Sequence, residues 1–236
     1  MSYESEIHQA QTKILRELLF LPATNFANLQ RVTGLESDHA KFHIKRLVEI
    51  GYIDKTKSGK YQLTIKGKEY ANKLDTDAGV IERQPKVAVM LIVEKEIKGE
   101  KHYLIQQRHK HPFFGFCGAP TGKVRWGESI PATASRELTE ETGLKGVFEH
   151  RGVFHERVMH EKTHEIIEDK IFHLMFCDKI TGKLVEEYEG GTNSWRTLDD
   201  IITNEKTYKS FELEMNMAIK GVPFYELLHS YSEEEF

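Results

Sequence analysis

Cysteine is nearly missing from this 236-residue chain: Cys117 and Cys177 are the only two, far apart and outside any C-x-x-C pattern. That excludes a disulfide framework or a cysteine-built zinc site, and makes a reducing cytoplasm the expected compartment. Long apolar runs are missing too. The opening MSYESEIHQAQTK lacks the basic-then-apolar order of a secretory signal, and no run approaches bilayer-spanning length, so no membrane partner is expected. There is no excess of positive charge either; at a net charge of −4 the whole chain has no bulk attraction to polyanions. Internal repeats and low-complexity segments are absent. What remains, 39% apolar and 30% charged residues, suffices for one large or two modest domains.

The densest chemistry lies in residues 122–144, GKVRWGESIPATASRELTEETGL. Ser129 can cap a helix, Pro131 is tolerated in its first turn, and Gly143 is a natural stop. On that helix Glu137 lies three and four residues before Glu140 and Glu141, so the three carboxylates cluster, while Ile130, Ala134 and Leu138 form an adjoining apolar stripe. Crowded carboxylates repel one another. A hard dication such as Mg²⁺ or Mn²⁺ relieves that cost, and Arg136 can pair with one glutamate and orient it. In isolation E-x-x-E-E is usually a solvated helix face. Here Gly122, Glu128, Arg136, Gly143 and Leu144 stand in register with it, a coincidence on the order of 10⁻⁹ per starting position at ordinary residue frequencies.

This pattern, G-x5-E-x7-R-E-L-x-E-E-x-G-L, resembles the Nudix box at every defining position. The resemblance implies an α/β fold, the Nudix α/β/α sandwich with a mixed sheet. It also implies hydrolysis of the diphosphate linkage in a nucleoside diphosphate joined to another group. Carried over residue by residue, Glu137, Glu140 and Glu141 are the expected ligands of Mg²⁺ (or Mn²⁺), Gly122 offers a loop carbonyl, and Arg136 and Glu128 support the glutamates. The wording departs from the common one at Pro120-Thr121-Gly122, where a Pro-Gly-Gly triplet is usual, and at Arg125, where an acid is frequent. Substrate preference is where those departures should show. Lys123 and Arg125 are candidates to face an anionic substrate. Phe113, Phe114 and Trp126 are read as packing residues.

The first 76 residues carry their own pattern. Helices are expected over 7–21, 26–33 and from Ser37 or Asp38 to about 50, the third with Phe42, Ile44, Leu47 and Val48 as its apolar positions. A short hairpin follows, turning at KSGK, then a last helix over 65–74. This order, with the phrase GYIDKTKSGKYQLTIKGKEY, resembles a small winged helix-turn-helix. From Lys41 to Lys73 nine basic residues stand against three acidic ones, a balance of +6 within an acidic chain. Double-stranded DNA is the partner this implies, with Lys41, His43 and Lys45 approaching the major groove and Lys57 and Lys60 touching backbone. Winged helices also serve as dimerisation or docking modules.

Residues 77–85 read as a linker, within the polar phrase DTDAGVIERQP, and 86–236 as the second domain. Val87 to Val93 is a continuous apolar run, the mark of a buried strand, and a second strand ends at Gln107. The resemblance to Nudix enzymes implies a substrate phosphate contact for Arg108, just after that strand, and a surface salt bridge is equally expected. After the box, two long strands are expected over 147–158 and 166–176, with His155, His160 and His164 as solvated loop histidines. The Nudix resemblance implies one further glutamate in this region as metal ligand or general base, with Glu187 and Glu189 as the candidates, and Trp195 is expected to pack under the final helix. Residues 208–220 and 224–231 read as two helices that cover the sheet or form a dimer contact, and a homodimer is the expected assembly. Two functions stay open: a working hydrolase, or a nucleotide-sensing transcription regulator. The proline and tyrosine signatures of the ADP-ribose and dinucleoside polyphosphate subfamilies are absent at their usual offsets.

Overall fold

The computed structural model describes residues 7–74 and 83–236, without the side chain of Asn204. The chain falls into two compact units, 1–83 and 84–236. Of the expected linker, 77–85, residues 77–82 lie outside the described residues.

The first unit runs α1 (Gln9–Phe20), α2 (Phe26–Thr33), α3 (Ser37–Glu49), β1 (Ile53–Lys55), β2 (Tyr61–Leu63) and α4 (Ile65–Ala71). That is the element order of a winged helix-turn-helix. Local signals set the boundaries. Asn25 caps α2 by accepting from the Asn28 amide at 2.9 Å, and Gly34 stops it at φ 71°. Neither Ser37 nor Asp38 caps α3; its N-cap is Glu36, with no side-chain bond. Ile14, Leu15, Leu18, Leu29, Ile44, Leu47 and Ile53 fill the core. Phe42 and Val48 do not join it, at 65% and 40% exposure. They lie off the α3 face that carries Ile44 and Leu47, so an i, i+3, i+4 count that includes them rotates the helix too far.

The second unit begins with β3 (Lys86–Ile97), β4 (Glu100–Arg108), β5 (Cys117–Gly118) and β6 (Thr121–Lys123). Next come α5 (Ile130–Thr142), β7 (Leu144–Gly146), β8 (Glu149–His160), β9 (Ile166–Cys177) and β10 (Ile180–Gly182). The unit closes with β11 (Glu187–Tyr188), β12 (Gly191–Arg196), α6 (Leu198–Asn204), α7 (Phe211–Lys220) and β13 (Phe224–Tyr231). The main sheet has the order β11-β12-β4-β3-β9-β8-β13, with β5 on β4 and β6 on β3. It is mixed: β3 runs parallel to β9 and antiparallel to β4 and β6. Strand alternation builds a core on each face. Ala88, Met90 and Ile92 pack with Phe211, Met215 and Ala218, while Val89, Leu91 and Val93 pack with Ala134 and Leu138 of α5. The result is the expected α/β/α layering.

Three expectations need correction. Residues 224–231 form a strand, not a helix, laid parallel to β8 in a register from Phe224 on Val153 to Tyr231 on His160. The sequence FYELLHSY fits either period, and the edge of β8 decides it. Trp195 lies on the α5 side of the sheet, against the cluster holding Leu104 and Leu138, not under the final helix. His155 sits within β8, its Nε2 2.8 Å from Asp169, so it is a strand residue, not a loop one.

Candidate active site

The box folds as loop, helix and glycine stop. Ser129 caps α5 through its side-chain oxygen, and Gly143 ends it at φ 70°. With Ala134 and Leu138 buried against the sheet, the acidic face of α5 turns away from the core.

Arg136 organises that face. Its Nε and Nη2 each donate to Glu128 at 2.8 Å, a two-pronged pair, and its Nη1 donates to Glu137 at 2.6 Å and Glu140 at 3.2 Å. Nη2 also reaches the Lys123 carbonyl at 3.2 Å, which ties the loop to the helix. Glu128 accepts from Thr133 Oγ1 at 2.8 Å and from the Arg125 amide at 3.2 Å as well. The Arg136 hydrogen bonds hold the Glu128 carboxyl down at about 2. Gly122 has a steric reason: a Cβ there would stand 2.0 Å from Glu137 Cγ. Only glycine lets β6 pass that close to the glutamate.

Glu137 and Glu141 line a cavity of about 510 Å³ together with Gly122, Lys123, Gln106 and Arg108. Gln106 donates to Glu141 Oε2 at 2.9 Å, and Asn193 fixes the backbone behind it through the Glu141 carbonyl at 2.8 Å. Burial raises the Glu141 pKa; the Gln106 bond opposes this, and the Glu137 charge adds to it. Arg108 lines the cavity while its Nε donates to the Pro112 carbonyl at 2.6 Å, so the guanidinium is held in place by the 111–112 loop.

Several sequence candidates stand elsewhere. Glu140 is half exposed, does not line the cavity, and pairs with Arg136 and with Arg125 at 3.3 Å. Arg125 is correspondingly 62% exposed and serves Glu140, not the cavity. Glu187 and Glu189 are exposed and off the cavity; Tyr188 between them takes the inward position, as alternation in an extended segment requires. Phe113 is buried in the cavity wall, but Phe114 and Trp126 are 56% and 90% exposed and pack little. In the first unit Lys41, Lys45, Lys57 and Lys60 are all exposed. His43 is not: it stacks on His8 with ring centroids 4.3 Å apart, and burial lowers its pKa.

Among the described residues no three His, Cys, Asp or Glu side chains converge closely enough to hold a metal ion. The hydrogen bonds explain this, since Arg136 draws Glu137 and Glu140 while Gln106 holds Glu141. The donor set nevertheless fits a hard dication. No hydrogen bond reaches the second oxygen of Glu137 or Glu141 among the described residues, so each keeps a free oxygen for a cation. Sequence reasoning missed Gln106, Tyr188, Asn193 and a second polar wall of the cavity, formed by Lys86, Glu156, Glu168, Lys170 and Glu214.

A family model described as NUDIX domain matches residues 82–215. A protein of Methanocaldococcus jannaschii described as ADP-ribose pyrophosphatase is 37% identical over 92 residues, which is 37% of this chain and 52% of that protein. An uncharacterised Nudix hydrolase, YvcI, of Bacillus subtilis is 34% identical over 97 residues, covering 38% and 56% of the two chains. The chain thus spans about half the length of the curated relatives it matches. Among solved structures, the NUDIX domain of Shewanella oneidensis NrtR complexed with ADP ribose superposes with a TM-score of 0.51 at 17% identity, over 64% of this chain and 96% of that one. That likeness is one of fold. Among the described residues no helix is long and apolar enough to cross a membrane.

Proposed function

The chain belongs to the Nudix family, and from that membership and the cavity we propose that it is a Mg²⁺-dependent hydrolase of the diphosphate linkage in a nucleoside diphosphate joined to a second group. One observation carries the reading: Arg136 and the cleared space over Gly122 hold Glu137 beside Glu141 on one cavity wall, each with an oxygen left free. Glu137 and Glu141 are the side chains that would hold the metal, with Gly122 beside them. Bound there, Mg²⁺ or Mn²⁺ would supply charge neutralisation at the diphosphate and a more acidic water.

The chain's own residues do the rest. Arg108 and Lys123 offer positive charge to the substrate phosphates, Arg108 already oriented by two loop carbonyls. Gln106 fixes the Glu141 carboxylate, and Arg136 fixes Glu137 through Glu128. A carboxylate takes the proton of the attacking water; because Glu187 and Glu189 are exposed and off the cavity, we assign that role to a cavity carboxylate. The ADP-ribose pyrophosphatase name of the archaeal relative makes ADP-ribose the first substrate to try. The test is release of AMP from ADP-ribose, nucleotide sugars and dinucleoside polyphosphates with Mg²⁺, against Glu141→Gln.

A second reading, a nucleotide-responsive DNA-binding regulator, is favoured by the exposed lysines on α3 and the β1–β2 hairpin. In that reading ligand in the second unit biases DNA binding by the first. Titration of labelled duplex DNA, with and without ADP-ribose, tests it.

A further inference from the structure

The register of the sheet sets a row of charged side chains at the end of the cavity away from α5. Lys86 on β3 faces Lys170 on β9, which faces Glu156 on β8, and Glu168 lies two residues before Lys170 on the same face. The next row is Ala88, Phe172 and Phe154, and the small Ala88 leaves room above it. From the other side Ser210, just before α7, and Glu214, one turn on within it, lie against Glu156, and β13 adds His229.

Proton accounting decides what this wall presents. Ser210 Oγ lies 2.9 Å from Glu156 Oε1 and 2.7 Å from Glu214 Oε1, but a hydroxyl has one proton to give. One carboxyl must therefore donate to Ser210. Glu156 Oε1 already has His229 Nε2 at 2.9 Å, and His229 Nδ1 is buried without a partner, so the ring proton sits on Nε2 and serves Glu156. The chain then runs from a protonated Glu214 to Ser210 to an ionised Glu156. Burial, with the Glu156 charge behind it, raises the Glu214 pKa in the same sense.

Both carboxyls use only Oε1. No hydrogen bond reaches the second oxygen of Glu156 or Glu214 among the described residues, although both side chains are about nine-tenths or more buried and both line the cavity. Both lysines pair with one carboxylate: Lys86 and Lys170 lie 3.1 and 3.3 Å from Glu168 Oε2. Two ammonium groups against two ionised carboxylates leave the wall without net charge, unsuited to another phosphate. The two oxygens left without a hydrogen bond, one on Glu156 and one on Glu214, are acceptors. Two acceptor oxygens match vicinal hydroxyls, which bring two donors, better than a purine edge, which sets a ring nitrogen beside its amine.

We propose that this wall binds the vicinal diol of an uncharged sugar at the substrate's far end, one hydroxyl to Glu156 and one to Glu214. Phe113 and Phe172 supply apolar surface beside it for the ring C–H groups. The proposal rests on the reading of this cavity as the nucleotide-derivative site, and makes the second group a sugar.

The test uses full-length protein with ADP-ribose and with its analogue lacking both ring hydroxyls of the terminal ribose, read by calorimetric binding and by kcat/KM with Mg²⁺. Wild type should prefer ADP-ribose by roughly 10- to 100-fold, the worth of hydrogen bonds to a charged acceptor. In Glu156→Gln that preference should collapse. Glu214→Leu should collapse it too, and serves if the first variant does not fold. Equal affinity of wild type for the two ligands overturns the proposal, as does an equal loss on both in either variant, or failure of ADP-ribose to bind. A dependence on Glu156 that follows the adenine amino group instead, seen with the hypoxanthine analogue, overturns it as well. Diol-dependent binding without turnover would sink the hydrolase reading alone, and turnover indifferent to the diol would sink this one alone.

Discussion

Behind the helix end of the cavity Glu128 accepts from one arginine with both oxygens and is held down at about 2, whereas at the sheet end Glu214 is buried beside Glu156 and is driven above the ordinary glutamate range. Both ends crowd carboxylates, and the difference is how the crowding is relieved. Arg136 neutralises the first cluster with a fixed cation and leaves Glu137 and Glu141 ready for a second one. The other end relieves its repulsion by keeping a proton, which turns two repelling acids into a hydrogen-bonded acceptor pair. Ionised and partnerless oxygens suit a metal and phosphates. A neutral, acceptor-rich wall suits hydroxyls.

The most damaging way to break the helix end is Gly122→Ala. Its Cβ would meet Glu137 Cγ at 2.0 Å, so the glutamate must leave the wall. A loss of kcat/KM of about 100-fold or more is expected, on the scale of removing one transition-state electrostatic group, with cooperative melting retained. Arg136→Gln comes next. It frees Glu137 without touching the cavity, and steady-state kinetics over a Mg²⁺ series should show metal affinity or activity falling roughly 10- to 100-fold, as for other residues that orient metal ligands. Glu140→Gln should cost clearly less than Glu141→Gln, because Glu140 faces Arg125 and solvent.

Those predictions separate what could be read from the sequence from what could not. The box was legible because its parts fall within one helix and its flanking loops, so the spacing of Glu137 and Glu141, the Ser129 cap and the Gly143 stop all follow from local rules. The sheet-end wall draws Lys86, Glu156, Lys170, Ser210, Glu214 and His229 from β3, β8, β9, α7 with its N-cap, and β13, and no spacing announces it. Misreading 224–231 as a helix hid it further, since the strand is what delivers His229 to Glu156. Glu187 and Glu189 were attractive as acids in a loop, but only pairing with β12 fixes which side chain turns inward, and that is Tyr188.

A subtler contrast is in pH. Glu128 has its folded pKa depressed, so its contribution is complete above the ordinary value of 4.5 and is lost as pH falls through about 2. Glu214 runs the other way. Its folded pKa is raised, so the native state keeps a proton that the unfolded chain has released, and its contribution fades as pH climbs out of the ordinary glutamate range. Denaturation midpoints followed across pH should fall on the alkaline side in wild type, and Glu214→Gln should flatten that limb. A flat wild-type limb would return the proton to solvent and make the two clusters alike.

The smallest effect concerns the first unit. If its exposed lysines contact phosphate, replacing Lys57 and Lys60 together should weaken duplex binding equally across sequences and reduce the salt slope by about one per lysine. An unchanged slope would leave that unit a docking module.

The central claim is that the helix end of the cavity breaks a diphosphate linkage. The most direct measurement is AMP release from ADP-ribose and related nucleotide derivatives with Mg²⁺, by wild type and by Glu141→Gln. Turnover of at least one compound by wild type, reduced about 100-fold or more in the variant, is the predicted result. No turnover of any compound, or turnover that survives the substitution, would contradict it.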